Sequence, residues 1–203
     1  MSALSTKSRL LTEVEYLAQE ELAEFKSEYY KGEVFAMSGA TATHSELGVR
    51  LGYELINALE DRPCKVYSSD TKIKISATGL FTYPDTSVTC DSPQFDDSKR
   101  MVLLNPQMVC EVLSNSTEAY DRGEKFTHYE TLPSLKAYVL VSQWEHQVEV
   151  FWRTTHADAW NYLRARGIES QLTLPSMNLT LRLAEIYKGV ELAPRPVRVH
   201  PEE

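Results

Sequence analysis

A chain of 203 residues has room for one domain with a sizeable core and is short for two. Hydrophobic residues at 42%, charged residues at 25%, and only 8 Gly and 9 Pro exclude global disorder and low complexity. The balance of 21 Lys+Arg against 29 Asp+Glu, net −8, argues against broad coating of nucleic acid, which needs a positive surplus, while leaving room for a local basic face. No apolar run approaches the roughly 18 residues of a membrane-spanning helix, and MSALSTKSRL lacks the apolar stretch of a secretory signal, so the expected location is the cytoplasm. Cys64, Cys90 and Cys110 are dispersed without CxxC spacing and read as buried thiols, neither disulfides nor zinc ligands.

The segment from Thr12 to about Phe25 is acidic and helix-favouring, and Ser27 to Met37 reads as two strands turning at Lys31-Gly32. Thr43-His44-Ser45-Glu46 fits a capping box, and Leu47, Leu51, Leu55 and Leu59 recur along one face, predicting a helix over 43–60. Gly48 and Gly52 beside that stripe suggest a close helix–sheet approach. Three neighbouring strands follow, Lys65 to Ile75, Thr82 to Cys90 and Gln107 to Ser114. Asp121 with Glu124 reads as the N-cap pair of a helix over 121–130, and AYVLV completes a parallel strand–helix–strand unit. Gln147 to Arg153 and Ala159 to Leu163 form an added antiparallel hairpin, and Leu183 to Gly189 a closing helix. The expectation is one α/β domain over 1–193, a mixed central sheet flanked by helices, with a loose tail over 194–203.

Glu111 stands out inside Met108-Val109-Cys110-Glu111-Val112-Leu113, because a buried carboxylate must be paired or bound to metal. An edge strand with Glu111 in water is the alternative, weakened because Val109 and Leu113 share its face. Asp85 follows Pro84, which interrupts strand pairing and places the carboxylate at a strand mouth, or in an ordinary turn. Lys125 shares a helical stripe with Arg122 and Tyr129. Together, Asp85, Glu111 and the carbonyl of Val112 are a hard-oxygen set suited to Mg²⁺ or Mn²⁺, and a nearby lysine suits phosphodiester hydrolysis.

KGEVFAMSGA, an isolated His44 opening a helix, YSSDTKIKI, TYPD and EVLSNSTEAYDRGEKFTHY closely resemble the Uma family of restriction endonucleases within the PD-(D/E)XK nuclease superfamily, over about residues 10 to 190. The resemblance implies a restriction-endonuclease-like fold, a metal-dependent endonuclease acting on DNA, most readily double-stranded, with Asp85 and Glu111 as metal-binding acids and Lys125 as catalytic lysine. The parent motif places its lysine two residues after the acid, where this chain has Leu113, and Lys72 is a competing amine. Asp70, Lys72 and Lys74 alternate onto one face as a candidate phosphate floor, and Glu33 resembles the superfamily's early acid. His44 reads first as a cap or core residue, with proton handling as the lesser option. Two other classes stay open: a nuclease-fold DNA-binding or interaction module without hydrolysis, favoured by Leu113 and the acidic net charge, and a structural partner-binding protein using Trp152 and Trp160; a homodimer is expected, with the hairpin from Gln147 to Leu163 as its candidate surface.

Overall fold

The structure is a computed structural model that describes residues 9–96, 99–154 and 159–195. Helix α1 (Glu13–Glu20) opens on a capping box in which the Thr12 hydroxyl accepts the Glu15 N–H and the Glu15 carboxylate accepts the Thr12 N–H. It ends earlier than the composition suggests, because Glu20 turns back to accept the Ser27 N–H and the Tyr83 hydroxyl. Strands β1 (Ser27–Tyr30) and β2 (Glu33–Ala36) form the expected hairpin, with Lys31 and Gly32 at φ 48° and 94°. Two left-handed residues in succession give a turn whose twist matches that of the strands.

Helix α2 (Ala42–Ala58) is capped by Thr41, whose hydroxyl accepts the His44 N–H, and not by Thr43. The Thr43 hydroxyl instead donates to the Glu191 carbonyl. The first of the next two expected strands is broken in two, and the second, expected from Thr82 to Cys90, shrinks to Thr86–Thr89 behind a separate short strand that ends at Thr82. Strand β3 (Lys65–Ser68) and β4 (Lys72–Ile75) part at Ser69-Asp70-Thr71, and β5 (Leu80–Thr82) and β6 (Thr86–Thr89) part at Tyr83-Pro84-Asp85, where Pro84 has no N–H to give a ladder. In each case the two strands enter different sheets.

Strand β7 (Val102–Leu103) lies parallel to β4 and completes a five-stranded sheet in the order β2-β1-β5-β4-β7. Strand β8 (Met108–Leu113) leads into helices α3 (Glu118–Arg122) and α4 (Glu124–Tyr129), a pair interrupted at Gly123 where one helix was expected. Strand β9 (Ala137–Ser142) returns parallel to β8 with Glu111 opposite Leu140, completing the predicted strand–helix–strand unit. Strands β10 (Gln147–Arg153) and β11 (Trp160–Arg166) extend a six-stranded sheet in the order β11-β10-β9-β8-β6-β3. A further hairpin, β12 (Gln171–Leu174) and β13 (Leu179–Arg182), precedes α5 (Leu183–Ile186). The fold is therefore mixed α/β, with two main sheets in place of one central sheet.

Alternation along β8 divides the interior. Met108, Cys110 and Val112 face Leu47, Leu51 and Leu55 of α2, whereas Val109 and Leu113 face Tyr129, Leu135 and the five-stranded sheet's Ile73 and Ile75. Each fully buried Leu or Ile contributes about 1.5–3 kcal/mol, so both halves hold the six-stranded sheet rigidly between them.

The structure changes several local readings. Cys64 and Cys90 are joined in a disulfide, because Lys65 opposite Thr89 makes them the next facing pair, and Cys110 alone is a free buried thiol. Trp152 packs in part against the core, and Trp160 lies against Phe126 with the Arg153 guanidinium over its ring, so both are half-buried and not wholly solvent-facing. Gly48 and Gly52 make no close approach to a sheet, since a Cβ at either would meet nothing within 4 Å. Arg195, at the start of the expected tail, pairs with Glu118 and Glu145, and residues 196–203 of that tail lie outside the described residues. Among the described residues no helix is long and apolar enough to cross a membrane.

Candidate active site

Glu111 is buried in the middle of β8, on the face it shares with Val109 and Leu113. Its partner is Lys125 on α4, whose Nζ lies 2.9 Å from Glu111 Oε1. The Tyr129 hydroxyl donates to the same oxygen at 3.4 Å. Two further acids converge on Lys125: Glu28 of β1 at 3.3 Å, from the other sheet, and Asp121 of α3 at 3.7 Å, one turn before the lysine. Thr82 donates its hydroxyl to Glu28, and the Tyr138 hydroxyl donates to the Asp121 carbonyl, so the walls of the cluster are themselves tied down.

Asp85 stands where the chain passes between the sheets. One carboxylate oxygen accepts the Val112 N–H at 2.6 Å, and the other lies 2.9 Å from Nε2 of His44. Val112 thus enters the site through its N–H, directly after Glu111. His44 is the first-turn residue of α2 whose backbone is capped by Thr41, and its ring reaches across to the strand mouth.

Three carboxylates, Glu28, Glu111 and Asp121, surround the Lys125 ammonium, and Asp85 acts on Glu111 and Asp121 through its charge. Burial pushes the Glu111 carboxyl well up, and the charges of Asp121 and Asp85 push the same way against Lys125. Asp121 is raised for the same first reason, burial, with Asp85 and Glu28 adding to it. For Lys125 burial works against the ammonium, but Glu111 and Glu28 outweigh it and hold the group protonated. The cluster holds more carboxyl groups than ammonium groups, and their mutual repulsion favours uptake of a proton or a cation.

A cleft of about 600 Å³ opens beside this cluster, between α2 and β3, with His44 and Asp85 among its lining residues. It is the natural approach for a substrate to the exposed side of Asp85.

Of the residues expected in the site, Asp85, Glu111, Val112, Lys125 and His44 come together. Position 113 offers no amine, because Leu113 is buried in the core. Glu33 is exposed on β2, and Glu28 is the hairpin acid that reaches Lys125. Asp70 sits in the turn before β4 and pairs with Lys26. Lys72 is buried with its ammonium over the rings of Tyr16 and Tyr83, and Lys74 is held between Glu13 and Asp96, so these two form an interior brace and not an open phosphate floor. Glu28 and Asp121 were not foreseen. The four-residue spacing of Asp121 and Lys125 was a usable signal, hidden by reading Asp121 as a cap, whereas nothing near Glu28 in the sequence points to its distant partner.

A family model described as "Putative restriction endonuclease", Uma2, matches residues 14–184. The chain belongs to the Uma2 family. An uncharacterized protein of Synechocystis, slr1290, is 39% identical over 180 residues, covering 89% of this chain and 93% of its own. A second, sll1609 of the same organism, is 37% identical over 142 residues, 70% of this chain and 80% of the relative. The fold is similar to the crystal structure of a putative nuclease belonging to DUF820 from Anabaena variabilis, with a TM-score of 0.71 and 17% identity, over 87% of this chain and 97% of that one. At that identity the likeness carries the fold alone. Within this Uma2 chain the two-sheet fold brings acids and lysine into one buried cluster beside a cleft.

Proposed function

We propose that this Uma2 protein is a metal-dependent endonuclease that hydrolyses phosphodiester bonds in DNA. The observation that carries the reading is the Lys125–Glu111 contact of 2.9 Å inside an acid cluster, beside Asp85 in the lining of an open cleft. Family membership supports the substrate class, a nucleic acid.

The donor chemistry fits a hard divalent cation, Mg²⁺ or Mn²⁺. Asp85 and Glu111 would supply carboxylate oxygens and Val112 a carbonyl, and such an ion would offset the repulsion that raises the Glu111 and Asp121 carboxyls. Among the described residues no three His, Cys, Asp or Glu side chains form a ready-made metal cage, in keeping with an ion held by one or two carboxylates, water and the substrate's own phosphate. Bound there, the metal supplies an acidified water and a polarised phosphoryl oxygen.

The chain's own residues do the rest. Lys125 holds an ammonium where charge develops on the phosphoryl group and orients the attacking oxygen. Glu28 and Asp121 keep that amine charged and aimed, so Lys125 replaces the strand lysine absent at Leu113. The Val112 N–H and His44 fix the Asp85 carboxylate from two sides, leaving its remaining lone pairs for a ligand.

A second reading, a DNA-binding module of the same fold without hydrolysis, is favoured by Leu113 at the motif lysine position and by the net charge of −8. Nicking of supercoiled plasmid in Mg²⁺ or Mn²⁺, lost with EDTA and in Glu111→Gln, supports the endonuclease. Duplex binding without nicking in either metal supports the module.

A further inference from the structure

We propose that the cleft between α2 and β3 seats an unpaired nucleobase of the strand lying at Asp85, so that the protein engages single-stranded or locally opened nucleic acid. The inference rests on the nuclease reading and names the state of the substrate.

The helix wall of the cleft contains Gly48 and Gly52, four residues apart on one face. Neither has a positive φ, and a Cβ at either would meet nothing within 4 Å, so no turn and no packing inside the chain requires glycine. Glycine weakens a helix, and an outside molecule lying against the bare backbone gives these two positions a purpose. Beside them Val49, Tyr53 and Ile56 are 72%, 55% and 55% exposed, an uncommon concentration of large apolar groups on one helix in water.

The opposite wall differs in chemistry. Strand β3 is the last strand of its sheet, so one edge of its backbone has no strand partner, and Ser68 and Ser69 add hydroxyls. The helix wall is therefore apolar with an aromatic ring, and the strand wall sets hydroxyls and a backbone edge beside Val66 and Tyr67. That pairing suits a flat ring with π-faces and a polar edge.

The lining carries no Lys or Arg, so it is not built for phosphate. A second recess adjoins it, sharing Ser45 and Val49, in which Arg50 stands beside Glu46 and beside Lys188, itself paired with Glu185. Arg50 makes no ion pair among the described residues, which leaves it for a backbone phosphate where the strand departs. Continuity decides the occupant: Asp85 belongs both to the cleft and to the acid cluster, so a base in the cleft belongs to a nucleotide whose phosphate lies at the acids. A base stacked in a duplex cannot enter such a cleft without leaving its partner.

The test uses the full chain in Mg²⁺ with DNA probes carrying one 2-aminopurine, placed in a single strand, in a bulge or in a perfect duplex. The expected result is tighter binding of the single-stranded and bulged probes by about tenfold or more, with a fluorescence change at the probe base. Gly52→Leu, which fills the cleft, and Tyr53→Ala should each lose most of that preference while melting no lower than wild type. Equal binding of all probes, or unchanged preference in both variants, overturns the cleft proposal even when nicking is intact. Cleft-dependent binding of unpaired DNA without nicking in Mg²⁺ or Mn²⁺ supports the base site and overturns the nuclease reading. An extended peptide that binds along β3 where no oligonucleotide does overturns the proposal.

Discussion

Lys125 reaches Glu111 from a helix, at 2.9 Å, although the strand position two residues beyond Glu111 is filled by Leu113. The amine and the acid are brought together by packing α4 onto β8 and not by alternation along one strand. Removing the ammonium leaves Glu111, Glu28 and Asp121 buried around a void in charge. Lys125→Met is therefore expected to destabilise the fold by about 3–5 kcal/mol, with a smaller loss in the Lys125→Met/Glu111→Gln double variant, measured by denaturant unfolding. Nicking should fall by at least about 10²-fold at a temperature where the variant is still folded.

Asp85 provides a separable test of the metal. In Asp85→Asn the amide oxygen can still accept the Val112 N–H, so the fold should persist while a hard-cation ligand is lost. Mn²⁺ at about a hundred times its dissociation constant should stabilise wild type by about 2.7 kcal/mol and Asp85→Asn hardly at all. Equal stabilisation of both proteins in a thermal melt would remove Asp85 from the metal site.

Glu149 governs an acid-side transition away from the cleft. It accepts two hydrogen bonds from Arg122, at 2.7 and 2.8 Å, and one from Tyr162 at 2.6 Å. Burial opposes its charge, but these partners and Arg164 outweigh burial and hold the carboxyl below its ordinary value of 4.5. A lowered folded value means that the stabilisation is complete above pH 4.5 and is lost as the pH falls through the folded value. Glu149→Gln should cost about 1–3 kcal/mol at pH 7, and its deficit against wild type should shrink as the pH falls below that range in urea titrations.

Gly48→Ala and Gly52→Ala should each raise stability by about 0.5–1 kcal/mol, because the added methyl meets nothing and the helix is stiffened. A lowered melting temperature in either variant would show that the glycine serves the fold itself.

The Cys64–Cys90 bond closes a loop with a sequence separation of 26, for which chain entropy gives about 3.5 kcal/mol. Reduction should lower wild-type stability by about that amount and leave Cys64→Ala/Cys90→Ala unchanged. Thiol titration of the denatured, unreduced protein should find one free group, Cys110.

The amino-acid order alone determined the elements whose causes are local. The Thr12–Glu15 box, the Lys31-Gly32 turn and the leucine stripe of α2 each follow from neighbouring residues, and all three form. The same holds for Glu111: an acid alternating with Val109 and Leu113 must be compensated wherever that face is buried, and in the fold it is. What local pattern could not decide was which sheet each half of a long strand would join. Both 65–75 and 82–90 read as single strands, because side-chain alternation runs unbroken through a segment whose backbone partners change. That crossing puts Asp85 between the sheets, lets Glu28 reach Lys125 from the other side, and brings Cys64 opposite Cys90. Lys72 and Lys74 show the converse, since a charge that looks free in sequence is consumed when Tyr16, Tyr83, Glu13 and Asp96 fold over it. Local torsions and periodicity select the elements, whereas long-range burial of charge selects their partners, and only the tertiary structure contains those distances.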